Sequence, residues 1–280
     1  MSDKIRQQVT DRIYKALSEG LVPWGKPWLG HRNDGPPTNA LTSLPFRGVN
    51  VLLLNLEGRT SKWWATERCW KVFGFRVKPH QKGVQVYHGK ADDLQSETVF
   101  NAEQLEGPGV ERYLLGDAAK RRSPAFDEAE RVVAATKADI RHIPGTQAVY
   151  YRLPEDHIVL PLKSQFESGT GGLPAYHSTA LHELVHWSEH RLGWLADPHL
   201  SIKERYRIGE MRACWGSAVL CAEIGVPFYH GQKGHAMFVS TWMQLMQADN
   251  TFVFRVAEAV GEAARFILSF RRVATGSFPP

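Results

Sequence analysis

With 280 residues, 43% of them hydrophobic, the chain is long enough for one large domain or two ordinary domains with packed cores. It contains no run of about 18 apolar residues, so we expect no membrane-spanning helix, and its charged start "MSDKIRQQVT" lacks the apolar middle of a secretion signal. Three cysteines, an odd number, do not make a disulfide framework, and we therefore expect a cytoplasmic protein.

The net charge of +5 is unevenly distributed along the chain. Residues 1–90 hold 15 Lys and Arg against 6 Asp and Glu, whereas residues 91–280 hold 19 against 23. A basic first third predicts a polyanionic partner, because clustered cations attract phosphates. The alternative interpretation is the ordinary scatter of charges on a solvated surface.

Helical and extended segments alternate in the first third. Ile5, Val9 and Ile13 follow helical spacing up to Gly20, and the Gly- and Pro-rich residues 20–37 then predict a loop. Further elements are predicted as a helix in the apolar run 48–56, a helix from the N-cap Thr66 to Gly74, and strands at 84–89 and 97–105.

Residues 106–125 include "EGPG" and "KRRSP", which predict a junction between domains at 1–115 and 125–280. The second domain again mixes helices and strands. Its predicted elements are a helix over 125–140 begun by Ser123 and Pro124, strands at 148–153 and 157–162 joined as a hairpin, a helix that includes 181–190, and helices at 203–224 and 251–270.

The segment "LHELVHWSEH" (residues 181–190) contains the pattern H-E-x-x-H. Residues i and i+4 lie on one face of a helix, so His182 and His186 can present two imidazoles to one ion. Glu183 lies beside the first of them and is placed to act as a general base towards water. The alternative is a half-exposed helix with surface histidines, but the apolar flanks favour a zinc site.

A catalytic zinc ion needs three protein ligands and one open position. Leu192 occupies the place where a metzincin would have its third histidine. His190 would extend the motif by another turn, too far along a straight helix to reach the same ion. Glu210, on a separate predicted helix 24 residues after His186, is favoured as the third ligand. The candidates considered are His190, Asp197, His199, Glu204 and Glu210.

Five of the nine tryptophans fall within residues 1–90, among many cations. Cations that follow phosphates and rings that stack on bases suit single-stranded DNA. The alternative is that the rings form the core of a small domain. The candidate DNA-binding residues are Trp24, Lys26, Trp28, Arg47, Trp63, Trp64, Lys71, Arg76, Lys78 and Lys82.

Several stretches together resemble one family. "VTDRIYKALSEGLVPWGKPW", "FRGVNVLLL", "KPHQKGVQV" and "ETVFNAEQL" are similar to the N-terminal domain of ArdC-type antirestriction proteins. "LHELVHW", "RIGEMRACWGSAVLCAEIG" and "HAMFVSTWMQLMQADNTFVFRVAEAV" resemble the metallopeptidase domain that follows it. The resemblance implies an α+β protein of two domains: a small N-terminal domain that binds single-stranded DNA, and a zincin-like domain with a short sheet and an H-E-x-x-H helix.

The resemblance also implies roles for individual residues. His182 and His186 match the family's zinc ligands, Glu183 its catalytic glutamate, and Glu210 the first Glu of a pattern resembling E-x-x-A-E. The second Glu of that pattern falls at Cys214, where a carboxylate would be expected to orient a ligand histidine. Cys214 itself is interpreted as a group beside the ligands, a thiolate ligand or, preferably, part of the core.

Residues and resemblance together predict an antirestriction protein of a mobile element that protects incoming DNA during conjugation. Its partners would be single-stranded DNA and, as substrates, DNA-bound host proteins; its cofactor would be zinc or another divalent metal. The alternative is a non-catalytic protein that coats single-stranded DNA and has a structural or inactive zinc domain. The residues considered as donors to the oxyanion are Tyr150, Tyr176, His177, Tyr229, His230 and His235.

Overall fold

A computed structural model describes residues 2–24, 33–90, 93–114, 126–169, 171–194, 201–229 and 232–274. The chain forms two compact units. Unit 1 comprises residues 1–123 and 245–254, and unit 2 comprises residues 124–244 and 255–280. Each unit contains both helices and a sheet, which confirms the predicted two-domain α+β class. Within the described ranges, no helix is both long and apolar enough to span a bilayer.

Unit 1 is built on a four-stranded sheet with strand order β1-β2-β5-β4. Strands β1 and β2 are parallel, while β2 with β5 and β5 with β4 are antiparallel. A separate short ladder pairs β3 with β6. The elements are α1 Ser2–Ser18, β1 Thr38–Asn39, α2 Val49–Asn55, β2 Trp63–Thr66, α3 Glu67–Val72, β3 Arg76–Val77, β4 Val84–Lys90, β5 Asp93–Asn101 and β6 Leu105–Glu106.

Local chemistry explains the two short helices of unit 1, both of which were predicted. The apolar run of α2 is helical and buries Leu52, Leu53 and Leu54 almost completely. In α3 the Thr66 side chain accepts a hydrogen bond from the backbone N–H of Cys69 and so caps the helix. The predicted strand 97–105 ends earlier, at Asn101, because this side chain caps the short 3-10 turn that follows.

The edge strand β4 is covered by one side chain of α2. Asn50 donates from Nδ2 to the carbonyl of Tyr87 at 2.7 Å, and its Oδ1 accepts from the N–H of Tyr87 at 2.8 Å. The amide therefore acts as a one-residue strand partner. Unpaired strand edges invite pairing with other chains, so this contact stabilises the sheet and shields part of its edge.

Unit 2 contains a three-stranded sheet with order β7-β9-β8. Strand β9 is buried along its whole length, pairs in parallel with β7 and forms the predicted antiparallel hairpin with β8. The remaining elements are α4 Phe126–Ala135, β7 Asp139–Ile143, β8 Tyr150–Arg152, β9 His157–Pro161, α5 Lys163–Glu167, α6 Gly172–Arg191, α7 Ile202–Ile224, α8 Gln232–Ala248 and α9 Phe252–Ala274. The end of α8 and the start of α9, within residues 245–254, belong to unit 1.

One prediction for unit 2 needs correction, and one helix was missed. The helix expected over 125–140 ends at Ala135, because Lys137 adopts a left-handed φ of 55° that stops the helix, and the chain continues as β7. Helix α8 was not predicted from the spacing. The proposed cap at Ser123 and Pro124 lies outside the described residues.

Candidate metal centre

Helix α6 positions the H-E-x-x-H residues. Leu181, Leu184 and Val185 are fully buried, so the helix is anchored by its apolar side. One turn apart on this helix, the imidazoles of His182 and His186 have ring centroids 5.0 Å apart and stay partly accessible. The helical spacing therefore brings the two rings together as expected.

Helix α7 packs closely against α6 and supplies a carboxylate. A Cβ at Gly216 would lie 2.8 Å from Cγ2 of Val185, so this approach requires glycine. Glu210 of α7 places Oε2 at 3.6 Å from Nε2 of His182 and Oε1 at 3.5 Å from Nε2 of His186. One ligand atom from each of the three residues lies within 4.8 Å of the others.

The spacing of these atoms fits a divalent ion. Ligands held about 2.1 Å from one tetrahedral zinc ion lie roughly 3.4 Å from each other. The separations of 3.5 and 3.6 Å between the histidine nitrogens and Glu210 are close to that value and long for hydrogen bonds. Two imidazoles and one carboxylate are a donor set that zinc and related metals accept. His182, His186 and Glu210 can therefore hold a metal.

The electrostatics of the cluster show how strongly the three groups interact. Burial alone would raise the pKa of Glu210, but the imidazoles facing its two oxygens hold that pKa well below its usual range. Burial alone would lower the pKa of His186, yet the carboxylates of Glu189 and Glu210 raise it well above its usual value. The site thus concentrates negative charge around two imidazoles.

Glu183 occupies the position expected of a general base. The residue is 4% exposed, and its Oε2 has no hydrogen-bond partner among the described residues. Burial raises the pKa of the Glu183 carboxyl, although the neighbouring imidazoles of His186 and His182 oppose this rise. A buried carboxylate oxygen without a partner requires an explanation, and a catalytic water is one.

The other ligand candidates lie elsewhere. His190 is exposed near the end of α6 and does not join the three-residue cluster. Glu204 is engaged in a capping box with Ser201 at the start of α7. Cys214 is 2% exposed, and burial raises the pKa of its thiol, as does the charge of Glu210. These facts favour the core interpretation of Cys214. Asp197 and His199 lie outside the described residues.

Two residues at the site were not found by sequence reasoning. Glu189 lies one turn after His186 on α6, with Oε2 at 3.6 Å from Nδ1 of that histidine. Tyr206 lies one turn before Glu210 on α7, and its pKa is raised by burial and by the charge of that carboxylate. Helical spacing of three and four residues was the signal that could have identified both.

The residues considered as oxyanion donors are placed unevenly. Tyr176 and His177 are buried, at 6% and 0% exposure, while Tyr150 is exposed on β8. The ring of Tyr229 fills the space beside Gly171, where a Cβ would approach it within 2.6 Å. His230 and the side chain of His235 lie outside the described part of the chain. Tyr206, by contrast, is 58% exposed beside the cluster.

The tryptophans predicted to stack on DNA bases differ in how deeply they are buried. Trp24 and Trp64 are each 2% exposed, so neither ring has an open face for a base, and the core interpretation replaces the DNA-binding one. Trp63 is half-buried, donates from Nε1 to Oδ1 of Asn33 at 2.8 Å and is covered by the Lys62 ammonium. Lys26 and Trp28 lie outside the described residues.

The predicted cations, by contrast, are exposed: Arg47, Lys71, Arg76, Lys78 and Lys82. Three of them lie within residues 76–82, a segment whose backbone is hydrogen-bonded to Gln104. Gln104 is 2% exposed; its Nε2 donates to the carbonyl of Lys82 at 2.9 Å, and its backbone carbonyl accepts from the N–H of Lys78 at 2.9 Å. The backbone that carries these exposed cations is thus bonded at two points to a buried residue.

Two known protein families match the chain, one in each half. Residues 127–259 match a family of zincin-like metallopeptidases, and residues 3–115 match the N-terminal domain of anti-restriction factor ArdC. The chain therefore combines an ArdC-type N-terminal domain with a zincin-like metallopeptidase domain, the domain architecture of ArdC-type antirestriction proteins. A zincin-like domain implies a divalent metal.

Solved structures of similar shape agree with this assignment. The crystal structure of the antirestriction protein ArdC from plasmid R388 in its Mn(II)-bound form superposes with a TM-score of 0.74 at 28% identity, covering 95% of this chain and 97% of that one. The metal-free form gives a TM-score of 0.75 at 27% identity, covering 98% and 99%.

Curated relatives from Escherichia coli are named DNA primase TraC. One is 32% identical over 95% of this chain, and another is 30% identical over 94%. The chain spans only 27% and 20% of the lengths of these two relatives. The similarity therefore concerns one part of each longer protein.

Proposed function

We propose that the chain is an antirestriction protein of a mobile element that binds single-stranded DNA and acts as a metallopeptidase on DNA-bound proteins. Residues 1–115 would form the DNA-binding domain and residues 125–280 the peptidase domain. The observation that carries the proposal is the convergence of His182, His186 and Glu210 within 4.8 Å, beside the buried Glu183. Cys69, Cys214 and Cys221 carry thiols that form no disulfide, which favours a reducing cytoplasm.

The residues of the site divide the chemistry between them. His182, His186 and Glu210 would hold the metal, for which zinc is our choice. Bound there, zinc supplies Lewis-acid polarisation of the scissile carbonyl and lowers the pKa of water. Glu183 takes the proton of the attacking water at Oε2 and later delivers it to the leaving amine. Tyr206, exposed and beside Glu210, is placed to donate a hydrogen bond to the substrate oxygen.

The DNA-binding half of the proposal rests on the exposed cations of residues 76–82, whose backbone is hydrogen-bonded to Gln104. Phosphate contacts dominate affinity for single strands and make it salt-dependent. Arg76 and Lys78 are two residues apart in and directly after β3, so they point to the same side of the chain. The name DNA primase of the two curated relatives is consistent with a DNA partner.

A matched pair of triple variants tests the DNA interface. Replacing Arg76, Lys78 and Lys82 with alanine should weaken binding of an oligothymidine strand and make the slope of log K against log salt shallower by about 2. The control replaces Arg131, Arg141 and Lys203, which are exposed cations of unit 2. Fluorescence anisotropy over a salt series measures both. Equal losses in the two variants would contradict a dedicated interface at residues 76–82.

A second candidate function is a non-catalytic coat for single-stranded DNA. It is favoured by Cys214, which stands where the family pattern has a carboxylate. Protection of incoming DNA from restriction, measured in mating assays, separates the two candidates. If Glu183→Ala abolishes protection and the protein still folds and binds DNA, the peptidase is required. If Glu183→Ala protects fully while the Arg76, Lys78 and Lys82 variant does not, coating is the function.

A further inference from the structure

One carboxylate beside the metal ligands has no role in the proposed chemistry. Glu189 is 5% exposed, and its Oε2 lies 3.6 Å from Nδ1 of His186, on the opposite side of the ring from Glu210. Histidines that bind metals through one nitrogen usually donate the other N–H to a carboxylate, which fixes the tautomer and the ring orientation. At 3.6 Å the contact is longer than a hydrogen bond, and the Glu189 carboxylate lies on the side of the His186 ring where such a partner stands.

A second helix holds this carboxylate in place. Arg212 of α7 donates from Nη1 to Oε1 of Glu189 at 3.0 Å. The guanidinium lies over the Trp194 ring, 5.0 Å from its centroid. A buried carboxylate is costly unless it is paired, and this cation supplies the pairing. Glu189 therefore uses one oxygen for Arg212 and presents the other to His186.

The space for Glu189 depends on a glycine. A Cβ built on Gly209 would lie 3.2 Å from Oε2 and 3.4 Å from Oε1 of Glu189, closer than most real Cβ contacts. Gly209 directly precedes Glu210 in α7, and Arg212 follows two residues later. The stretch of α7 that supplies a ligand to one side of His186 thus also forms the pocket for the carboxylate on its other side.

We propose that Glu189 is the positioning residue of the metal centre: held by Arg212 and accommodated by Gly209, it keeps His186 with Nδ1 protonated and Nε2 free for the ion. The assignment rests on the proposed metal function and deepens it. The sequence suggested residue 214 for such a role, but Cys214 is a buried thiol. In this chain the carboxylate that faces a ligand histidine comes from the motif helix itself.

The test compares metal affinity with the stability of the metal-free protein. Titrations with zinc and manganese ions against a colorimetric chelator should show E189Q binding about 10–100-fold more weakly than the wild type. E128Q is the matched control, because Glu128 pairs with Arg131 and Arg271 and with neither ligand histidine. Its metal affinity should stay that of the wild type.

A glycine variant distinguishes positioning from a merely structural role. G209A keeps every ligand, Glu189 and Arg212, yet its new methyl group pushes on the Glu189 carboxylate. Because alanine favours a helix more than glycine does, the metal-free Tm should stay level or rise, while metal affinity falls about 10-fold. G261A, in the interior of α9, should gain stability without losing affinity.

Two results would overturn the proposal: unchanged metal affinity in both E189Q and G209A, or losses of affinity that follow losses of metal-free stability in every variant. If the wild-type chain binds neither ion, the metallopeptidase proposal fails, and nitrogen NMR of the His186 ring, recorded at a pH above its raised pKa so that the ring is neutral, still decides the positioning. The Nδ1-protonated tautomer in the metal-free wild type, lost in E189A, supports the role of Glu189. Its absence from the wild type contradicts it.

Discussion

Buried polar side chains serve different ends in the two units. Unit 1 buries amides that bond to the backbone: Asn101 donates to the Ser61 carbonyl at 2.8 Å, Gln104 makes a similar contact, and so does the half-buried Asn50. In unit 2, ionisable groups of α6 and α7 face one another, as His186 does with Glu189 and Glu210. Neutral groups paired with backbone build a scaffold, whereas opposed ionisable groups retain capacity for a ligand.

The largest effect is expected on catalysis, when the proposed general base is removed. Glu183→Gln keeps the size of the side chain but removes the proton acceptor, so kcat on a cleaved protein or peptide should fall by about 10²–10⁴-fold. Metal content, measured by elemental analysis, should remain that of the wild type. E128Q provides the matched loss of a carboxylate in the same unit. Cleavage by Glu183→Gln at the wild-type rate would show that another group acts as the base.

Removal of the metal tests the ligand set itself. A metal ion that binds only the folded protein stabilises it by about 2.7 kcal/mol when the free ion is at 100 times its Kd. Adding zinc should therefore raise the Tm of the wild type, and a chelator should reverse the rise. Glu210→Ala should lose the response, because two imidazoles alone bind more weakly. A Tm response that survives in Glu210→Ala would remove Glu210 from the ligand set.

A smaller effect is expected in the scaffold of unit 1. Asn101→Ala deletes both the bond to the Ser61 carbonyl and the cap accepted from Glu103 N–H, so the free energy of unfolding should fall by about 2 kcal/mol. Urea denaturation measures the change, with the exposed Gln8→Ala as control. Zinc affinity should be unaffected in both. A joint loss of zinc affinity would mean that the scaffold also shapes the metal site.

The smallest effect on stability is expected at Lys71. Its pair with Glu67, at 2.7 Å, joins two exposed side chains, and such pairs contribute only about 0.2–1 kcal/mol, less in high salt. Lys71→Ala should leave the urea midpoint nearly unchanged. If Lys71 contacts phosphate, the same variant should reduce the salt slope of DNA binding by about 0.7. A shift in midpoint without a change in slope would assign Lys71 to the fold alone.

Prediction from the sequence succeeded where spacing alone decides the outcome. One helical turn places His182 beside His186, and the cap at Thr66 fixes where α3 begins. It failed where distant contacts decide. The sequence of residues 136–140 resembles the end of a helix. In the structure, however, Lys137 has a left-handed φ, and the residues from 139 pair with β9 as strand β7. The burial of Trp64 depends on packing that no local pattern displays.

Glu189 illustrates a different limit. It stood within the quoted motif, at helical spacing from His186, but its importance depends on what the facing helix lacks. Only when α7 brings Gly209 and Arg212 beside it does the residue become a paired carboxylate facing a ligand rather than an exposed end of a helix. A missing side chain on one helix cannot be matched to its neighbour before the two helices are packed together.

The glycine at 209 also has a consequence for comparing sequences across this family. Because a side chain at 209 would occupy the space of the Glu189 carboxylate, the two positions are not free to vary separately. A relative with a bulky residue at the position of Gly209 should have a small one at the position of Glu189, and should take its orienting carboxylate from elsewhere. The residues at positions 189 and 209, taken together, should therefore indicate how each relative orients the second histidine of the motif.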